Sequence, residues 1–189
     1  MGVTELIERA LESYRPTDAT EVAAVQRLRE LLATGDVHSR TTPVHVTASA
    51  LVVHPPSRTV LLRWHPRMEM WMQVGGHFDA GETDPWLVAL REAREETGLT
   101  DLHAGVGAEA EQPLQLVIVP VPAGDNEPAH EHADFRYLFV TDTPGDAVAE
   151  TAAAPLRWIS LASAIAETKE PNLRVFLSRV SETLTACAQ

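Results

Sequence analysis

The spacing of apolar residues along the chain predicts helices at both of its ends. In the segment 1–35, Asp18 is followed three residues later by Glu21, a pair typical of a capping box at a helix N-terminus. Gly35 supplies a stop for this helix. Its apolar positions recur at helical spacing and are Val22, Val25, Leu28 and Leu32. A last helix is predicted to begin near Pro171, and its apolar stripe consists of Leu173, Phe176, Leu177, Val180 and Leu184.

Between these ends the apolar pattern is that of β-strands. Short, partly β-branched runs at 45–53 and 59–62 flank Pro55-Pro56-Ser57 and predict a hairpin. Residues 71–76 predict a strand end that enters a glycine-rich loop. Three later strands are predicted at 114–121, 134–141 and 155–160. The polar loop 123–132 joins the first two of these. Strands mixed with helices in this way predict an α/β fold in which a sheet lies between helices.

The chain length suits one domain with a helical extension. We divide the 189 residues into an N-terminal extension over 1–40 and a main domain over 41–189 that includes the last helix. The chain has no run of about 18 apolar residues, so a membrane span is not expected. Acids stand at the N-terminus where a signal peptide has a basic and then an apolar segment, so we expect a cytoplasmic protein. Cys187 is the only cysteine, which excludes an intrachain disulfide and a cysteine-based metal site.

The charge balance narrows the class of partner. Asp and Glu number 27 against 15 Lys and Arg, which gives a net charge of −12. A surface this acidic repels nucleic-acid backbones, so a nucleic-acid partner is not expected. If the substrate is itself an anion, divalent cations are the obvious means of screening it from the protein.

The most informative segment is a predicted helix over 85–97, which Asp84 can cap and which begins at a favoured proline. Helical spacing brings three carboxylates together on one side, near the C-terminal end: Glu92, Glu95 and Glu96. Like charges repel at this spacing, and the helix dipole makes anions at this end less favourable still. Arg91 offsets part of the cost. By itself such a string is more often a solvated acidic face, but the cost makes sense if hard divalent cations bind the carboxylates.

Residues 76–99 resemble the Nudix box, G-x5-E-x7-R-E-U-x-E-E-x-G-U, in which U is a bulky aliphatic residue. The positions that fit are Gly76, Glu82, Arg91, Glu92, Glu95, Glu96, Gly98 and Leu99. One departure is that eight residues separate Glu82 from Arg91 where the pattern has seven. The extra residue is placed most simply in the loop before Pro85, because an insertion inside the helix would rotate the acids by about 100°.

The resemblance implies a Nudix-type α/β/α sandwich with a mixed β-sheet, and Mg²⁺- or Mn²⁺-dependent hydrolysis of a pyrophosphate bond in a small nucleotide-like molecule. It also implies roles for single residues. Glu92 and Glu96 are the first choices as metal ligands, Glu95 ligates or acts through water, and the carbonyl of Gly76 or its neighbour completes the site. Arg91 holds Glu92 or Glu95 in place by a charge-assisted hydrogen bond, and with those two glutamates it forms the expected catalytic group.

Several residues outside the acidic helix are candidates for substrate binding. His77 follows the double glycine and can donate to phosphate or stabilise the loop, while Glu131 and Asp134 can approach the metals from the sheet. The alternative for the segment 130–134 is a solvated loop. His130 and His132 are poorer candidates as metal ligands, because the sequence shows no third partner for them. The tryptophans that can stack on a base or belong to the core are Trp64, Trp71 and Trp86.

Other functions compete with hydrolysis. A Nudix-fold isomerase of the isopentenyl diphosphate type needs a cysteine in its site, and Cys187 lies far from the acidic helix. A binding module that senses a nucleotide without turnover usually lacks one or more of the box glutamates, all of which this chain keeps. A structural acidic helix leaves the glycine loop unexplained. The terminal helices can cap the sheet, form a homodimer surface or gate the substrate, and the sequence does not choose between these.

Overall fold

The computed structural model describes residues 3–105, 112–124 and 127–186. The α-helices in these ranges are Val3–Ser13 (α1), Ala19–Thr34 (α2), Pro85–Thr97 (α3), Leu161–Glu167 (α4) and Pro171–Ala186 (α5). The β-strands are Val44–His54 (β1), Thr59–His65 (β2), Met70–Met72 (β3), Val74–His77 (β4), His103–Ala104 (β5), Gln115–Val121 (β6), His130–Val140 (β7) and Leu156–Ser160 (β8). Among the described helices, none combines the length and the apolar character that a membrane crossing requires.

The strands form one mixed sheet centred on β1. Along one edge, β1 pairs in parallel with β7, from Val44 opposite Glu131 to Val53 opposite Val140. Along its other edge it pairs antiparallel with β2 and, further towards its start, with β4. The strands β3 and β8 extend the sheet from β2, and β5 and β6 extend it from β7. The predicted hairpin between the first two strands is confirmed.

Side chains of β1 alternate between two apolar cores, one on each face of the sheet. Ala48, Ala50 and Val52 belong to a core that includes residues of α1, α2 and α3. Leu51 and Val53 belong to a second core that includes residues of α4 and α5. Because a strand points successive side chains to opposite faces, a sheet covered on both sides buries almost the whole of β1, from Val44 to Val53. The predicted sandwich of helices around a mixed sheet is confirmed.

The N-terminal helices begin and end largely where the sequence indicates. Asp18 caps α2 by accepting from the Glu21 backbone N–H at 2.9 Å, and the Glu21 carboxylate accepts in return from the Thr17 N–H at 2.8 Å. Of the four apolar residues at helical spacing, Val22 is 51% exposed and does not lie on the buried face of α2. The buried face of α2 contains Glu21 instead, because that carboxylate is paired with Arg179 of α5.

The start of β7 differs from the prediction. Residues 130–132 belong to the strand rather than to the polar loop 123–132, and they pair with β6 as far as Val121 opposite His130. This part of the strand is polar, whereas the sequence predicts strands from apolar runs, so the prediction places it in the loop. The short elements β5 and α4 were not predicted. The last helix has the predicted stripe, and its five apolar residues are all buried.

The terminal helices are tied to the rest of the molecule. The Leu116 backbone N–H donates to the Tyr14 hydroxyl oxygen at 3.1 Å, which joins the end of α1 to β6. Arg179 forms an ion pair with Glu21 and so joins α5 to α2. The division of the chain at residue 40 stays a prediction, and Cys187 lies outside the described residues.

Candidate functional site

The acidic helix α3 is delimited by local signals on both sides. The Asp84 side chain accepts from the Trp86 backbone N–H at 2.9 Å, and Pro85 is the first helical residue. At the other end Gly98 has a φ of 69°, and its N–H donates to the Arg94 carbonyl at 2.8 Å. Glycine adopts this left-handed conformation without the strain of a side chain. The helix therefore starts after the additional residue, which lies in the preceding loop.

Arg91 is the centre of the site, and all five of its guanidinium N–H groups have acceptors. Its Nε and Nη2 donate to the two oxygens of Glu82 at 2.7 and 2.9 Å. Its Nη1 donates to Glu92 at 3.0 Å and to Glu95 at 2.9 Å. The remaining Nη2 donor reaches the His77 carbonyl oxygen at 2.9 Å. The rigid, permanently charged guanidinium of Arg91 thus fixes the three carboxylates and the backbone of β4 relative to one another.

Glu82 keeps its place in this arrangement despite the longer loop. Its carboxylate accepts from the Asp79 backbone N–H at 2.7 Å as well as from Arg91. These hydrogen bonds, chiefly the one from Arg91, lower the pKa of Glu82. The same contact raises the pKa of Arg91 above its ordinary value. Glu82 therefore supports the loop and its arginine, and it stays ionised while doing so.

Glu92 lies directly against the backbone of β4. A Cβ atom added to Gly76 would come within 2.5 Å of Glu92 Oε1. Glycine at this position is thus what allows the carboxylate to approach the strand. Burial raises the pKa of Glu92, and the charge of Arg91 opposes that shift.

Glu96 is the most enclosed of the three helix carboxylates, with its side chain 12% exposed. Its Oε2 accepts from the Gly75 backbone N–H at 2.9 Å, and its Oε1 lies 3.1 Å from Arg63 Nη1. Burial raises the pKa of Glu96 to about 7, and the Gly75 N–H and Arg63 offset part of that shift. Gly75 itself has a φ of 147°, and a Cβ there would lie 2.6 Å from the Ala48 carbonyl oxygen. The double glycine therefore serves close packing of β4 against both β1 and α3.

Arg63 of β2 is a site residue that the sequence analysis missed. Besides Glu96, it approaches Glu150, with Nη2 and Oε2 3.5 Å apart. The available signal was the two-residue period of β2, because Leu61 belongs to the core on the α3 side and Arg63 follows it by two positions. Arg63 brings the exposed carboxylate of Glu150 into the neighbourhood of the acidic helix.

The donor atoms that the site offers fit a hard divalent cation. Glu92, Glu95 and Glu96 present carboxylate oxygens within little more than one helical turn, and such oxygens are the preferred protein ligands of Mg²⁺ and Mn²⁺. Two of them are drawn into the protein by Gly75 and Gly76, at a cost in desolvation that a bound cation would offset.

The ring of His77 lies on the other side of the sheet from α3. Its Nε2 is 3.1 Å from His45 Nε2 of β1 and 3.2 Å from His132 Nε2 of β7. His130 Nε2 in turn lies 3.0 Å from His132 Nε2. The sequence offered no third partner for His130 and His132, and the structure supplies two from other strands. His45 was missed because only the pairing of β1 with β7 brings it to this place.

The two acids predicted outside the helix lie on opposite faces of the sheet. Asp134 is buried on the histidine side, where it accepts from Thr47 Oγ1 at 3.0 Å, Ser49 Oγ at 2.9 Å and Arg136 Nε at 2.8 Å. Glu131 forms a bidentate pair with Arg27 of α2, at 2.9 and 2.5 Å. The structure therefore groups Asp134 with His77 and places Glu131 beside the N-terminal helices.

The tryptophans divide into a core residue and a surface pair. Trp86 packs against Phe139, with ring centroids 5.6 Å apart, beside the core on the α3 side. Trp64 and Trp71 meet edge to face at 5.5 Å, and the Arg157 guanidinium lies 4.9 Å from the Trp71 ring. That pair lines a cleft next to α4, apart from the acidic helix.

Comparison with known proteins finds a family model and a relative that each match much of the chain. The family model described as the NUDIX domain matches residues 43–180. A protein of Lactococcus lactis subsp. cremoris, named a probable DHNTP pyrophosphohydrolase, is 30% identical over 127 residues, which cover 67% of this chain and 70% of that protein.

Solved structures share the fold at low sequence identity. A NUDIX-family hydrolase from Clostridium perfringens is 24% identical with a TM-score of 0.58, over 76% of this chain and 97% of that one. A C. elegans Ap4A hydrolase is 20% identical with a TM-score of 0.55, over 74% and 97%. The E. coli dihydroneopterin triphosphate pyrophosphohydrolase is 16% identical with a TM-score of 0.53, over 75% and 95%.

Proposed function

Since the chain belongs to the NUDIX family and is a hydrolase of phosphoanhydride bonds, we propose that it is a Mg²⁺- or Mn²⁺-dependent enzyme that cleaves the pyrophosphate bond of a small nucleotide-like substrate. The observation that carries the proposal is the fixing of Glu82, Glu92 and Glu95 by the single guanidinium of Arg91. An acidic helix that served only solubility would not need its carboxylates held in one geometry.

The metal would be held by Glu92 and Glu96, with Glu95 and the backbone at Gly76 completing the set. When bound, a divalent cation there would neutralise the diphosphate, polarise phosphorus and make the attacking water more acidic. Arg91 acts as a positioning residue, because it contacts the carboxylates rather than the reacting atoms. Arg63 and the Gly75 N–H orient Glu96, whose two oxygens they contact separately.

The reaction consists of attack by water on one phosphorus. A bond forms between the water oxygen and that phosphorus, the bridging P–O bond breaks, and the bridging oxygen leaves with its electron pair on the other phosphate. The proton lost by water goes to a carboxylate acting as general base. We assign this role to Glu95, because its side chain is 54% exposed whereas Glu92 is 15% and Glu96 12% exposed.

The names of the relatives and the charge of the chain suggest which substrates to test. Relatives are named for dihydroneopterin triphosphate and for Ap4A, which are small molecules with several linked phosphates. With a net charge of −12, the protein favours a small, metal-screened anion over a long nucleic acid. The candidate substrate contacts His77, Glu131 and Asp134 rank below the helix carboxylates, because the His77 ring and Asp134 lie on the face of the sheet opposite α3 and Arg27 already binds Glu131. A cytoplasmic location and a homodimer stay expectations from the sequence.

The test is a substrate panel with matched variants. Purified protein is incubated with pterin and nucleoside triphosphates, dinucleoside polyphosphates and nucleotide sugars, with Mg²⁺, Mn²⁺ or EDTA, and products are identified by mass. Glu96→Gln and Glu95→Gln are compared with Glu167→Gln, which changes an exposed glutamate paired with Arg157. We expect metal-dependent cleavage at a phosphoanhydride, a loss of rate of about 100-fold or more in the first two variants and none in the control.

The outcomes separate the enzyme from the alternative. Binding of panel members without turnover, with either metal, would replace the proposal by a non-catalytic nucleotide-binding module. Turnover that survives EDTA or that Glu96→Gln leaves unchanged would contradict the assigned metal ligands. When the reaction is carried out in water enriched in ¹⁸O, the label must appear on one of the two phosphate products, since water is the nucleophile.

A further inference from the structure

Four histidines from three strands meet on the face of the sheet opposite α3. His45 belongs to β1, His77 to β4, and His130 and His132 to β7; we call them the histidine cluster. The sheet register brings them together, because His45 lies opposite His132 and Thr47 lies opposite His77. His45 is fully buried, His130 is 7% exposed, and the other two are half-buried. The Nudix-type chemistry proposed above leaves this cluster without a function.

The rings converge through one type of atom. The Nε2 atom of His77 lies 3.1 Å from that of His45 and 3.2 Å from that of His132. His45, His77 and His132 each offer a ligand nitrogen within 4.8 Å of the others. For comparison, a tetrahedral zinc ion with Zn–N bonds of about 2.0–2.1 Å separates its ligand nitrogens by about 3.3 Å. The two distances from His77 are thus close to the spacing such an ion imposes, and the third pair, His45 and His132, lies within 4.8 Å.

Hydrogen bonds on the other ring nitrogen fix the tautomer of two members. His45 Nδ1 lies 3.1 Å from the Thr42 carbonyl oxygen, and His130 Nδ1 lies 2.9 Å from the Pro128 carbonyl oxygen. A carbonyl can only accept, so both Nδ1 atoms carry the hydrogen and both neutral rings present a bare Nε2 lone pair. Orientation of imidazoles through Nδ1–H and backbone carbonyls is a common outer-shell arrangement at metal sites.

No placement of ring hydrogens on neutral histidines turns all the Nε2–Nε2 contacts of the cluster into hydrogen bonds. The Nε2 atoms form a chain of three contacts, His45 to His77, His77 to His132 and His132 to His130. Each contact needs one hydrogen between its two nitrogens, and both ends of the chain are bare. With neutral rings, every placement of hydrogens on His77 and His132 leaves at least one contact between two lone pairs or two N–H groups. A cation among the rings removes this conflict.

A proton is the less favourable cation here. Each of these rings is buried or half-buried, and burial disfavours a charged imidazolium. A metal ion, in contrast, binds the neutral imidazole through the lone pair that Nε2 presents.

We propose that His45, His77 and His132 form a binding site for a transition-metal dication of the zinc type, separate from the carboxylates of α3. Three imidazoles suit Zn²⁺, Co²⁺ or Ni²⁺ and not Mg²⁺, which prefers oxygen ligands. Three protein ligands would leave a fourth position of the ion open, and His130 Nε2 lies 3.0 Å from His132 Nε2. The backbone of His77 joins the site to the acidic helix, because its carbonyl accepts from Arg91.

The test is direct metal binding by the full-length protein. Metal-free protein is titrated with Zn²⁺ by calorimetry, and its metal content is measured after dialysis. We expect one tightly bound Zn²⁺ per chain, and visible d–d bands of nitrogen-bound Co²⁺ that Zn²⁺ abolishes. In His132→Gln and His45→Gln, Zn²⁺ affinity falls by roughly 100-fold or more, since the loss of outer-shell partners alone costs 10–100-fold.

Two controls make the assignment specific. His103→Gln changes an exposed histidine of β5 and leaves Zn²⁺ affinity unchanged. Glu92→Gln with Glu96→Gln removes the proposed Mg²⁺ ligands and also leaves it unchanged, so failure of the hydrolase proposal and failure of this one are distinguishable. Thermal unfolding of the metal-free variants shows whether they fold.

The proposal is overturned if folded wild-type protein binds no Zn²⁺ or Co²⁺, or if the Co²⁺ bands survive in folded His45→Gln and His132→Gln. NMR of the ring nitrogens supplies an independent readout. On addition of Zn²⁺, the Nε2 resonances of His45, His77 and His132 shift, while Nδ1 of His45 and His130 remains protonated. A shift confined to solvent-exposed histidines such as His103 would also refute the site.

Discussion

Arg91 and His77 join the two faces of the sheet: Nη2 of the arginine donates to the histidine carbonyl oxygen at 2.9 Å. The backbone of His77 thereby belongs to the acidic site, whereas its ring belongs to the histidine cluster, 3.1 Å from His45. Alternation along β4 makes this division possible, because Gly76 faces Glu92 and the next residue points the other way. A displacement of β4 would therefore change the geometry of both the acidic site and the histidine cluster.

Arg91→Lys tests whether the guanidinium positions the carboxylates. Lysine keeps the charge but cannot supply five donors in a planar fork, so Glu82, Glu92 and Glu95 lose their common geometry. We expect kcat to fall by about 100-fold, the effect of a displacement of about 1 Å in the reacting groups, with a smaller change in KM. Steady-state kinetics at saturating Mg²⁺ measure this. Arg94→Lys on the same helix is the control, and an equal loss there would show that helix stability rather than positioning is responsible.

Gly76→Ala tests the close approach of β4 to the acidic helix. The added Cβ would come within 2.5 Å of Glu92 Oε1 and displace that carboxylate. We expect Mn²⁺ affinity, followed by electron paramagnetic resonance, to fall by about 10-fold or more, comparable to the loss of an outer-shell partner. Gly35→Ala is the matched control, because nothing lies within 4 Å of its Cβ position and its φ is −173°. Unchanged Mn²⁺ affinity in Gly76→Ala would mean that Glu92 is not a ligand.

The sequence predicts those parts of the molecule that local chemistry determines. Both ends of α3 were placed correctly, because the Asp84 cap, Pro85 and Gly98 act within a few residues of the ends they fix. The extra residue fits the loop because an insertion inside the helix would rotate the acids by about 100°. Local sequence signals were therefore sufficient to predict the acidic site as well as the bounds of the helix.

Features that depend on strand register were not predictable in this way. His45 and His132 stand 87 positions apart and meet because β1 and β7 pair in parallel. The polar start of β7 lies within the predicted loop 123–132, because pairing with β6 rather than apolar character makes it a strand. Burial in α2 was not predictable from local sequence either. Glu21 is buried in place of Val22 because it pairs with Arg179, which lies far away in the sequence.

Glu96→Gln tests the effect of burial on stability in metal-free protein. Burial raises the folded-state pKa of Glu96 from its ordinary 4.5 to about 7. Between these values the folded protein holds a proton that the unfolded chain releases, so this carboxyl lowers the free energy of unfolding as pH rises through that window. Glutamine does not titrate. We expect the variant to gain stability relative to wild type between about pH 5 and about pH 8, by on the order of 2 kcal/mol.

Urea unfolding in EDTA at the two pH values measures this difference. The contribution of histidine titration cancels between wild type and Glu96→Gln, because both proteins contain the same histidines. Glu95→Gln serves as the control, since that side chain is 54% exposed. A stability difference between wild type and Glu96→Gln that stays constant over this range would show that Glu96 is ionised throughout it.

Arg179→Met tests how α5 is held to the N-terminal helices. The guanidinium is paired with Glu21, whose side chain is 1% exposed, and it also donates to the Leu114 carbonyl at 2.9 Å. Removing it leaves a buried carboxylate without its cation, which costs about 3–5 kcal/mol of folding stability. Arg27→Met is the matched control, because its bidentate pair with Glu131 is exposed by 46% and 33% and is worth only about 0–1 kcal/mol. Chemical denaturation measures both. Equal losses in the two variants would mean that burial of the Arg179–Glu21 pair does not set its contribution, and recovery of stability in Arg179→Met with Glu21→Leu would show that the loss came from the unpaired carboxylate.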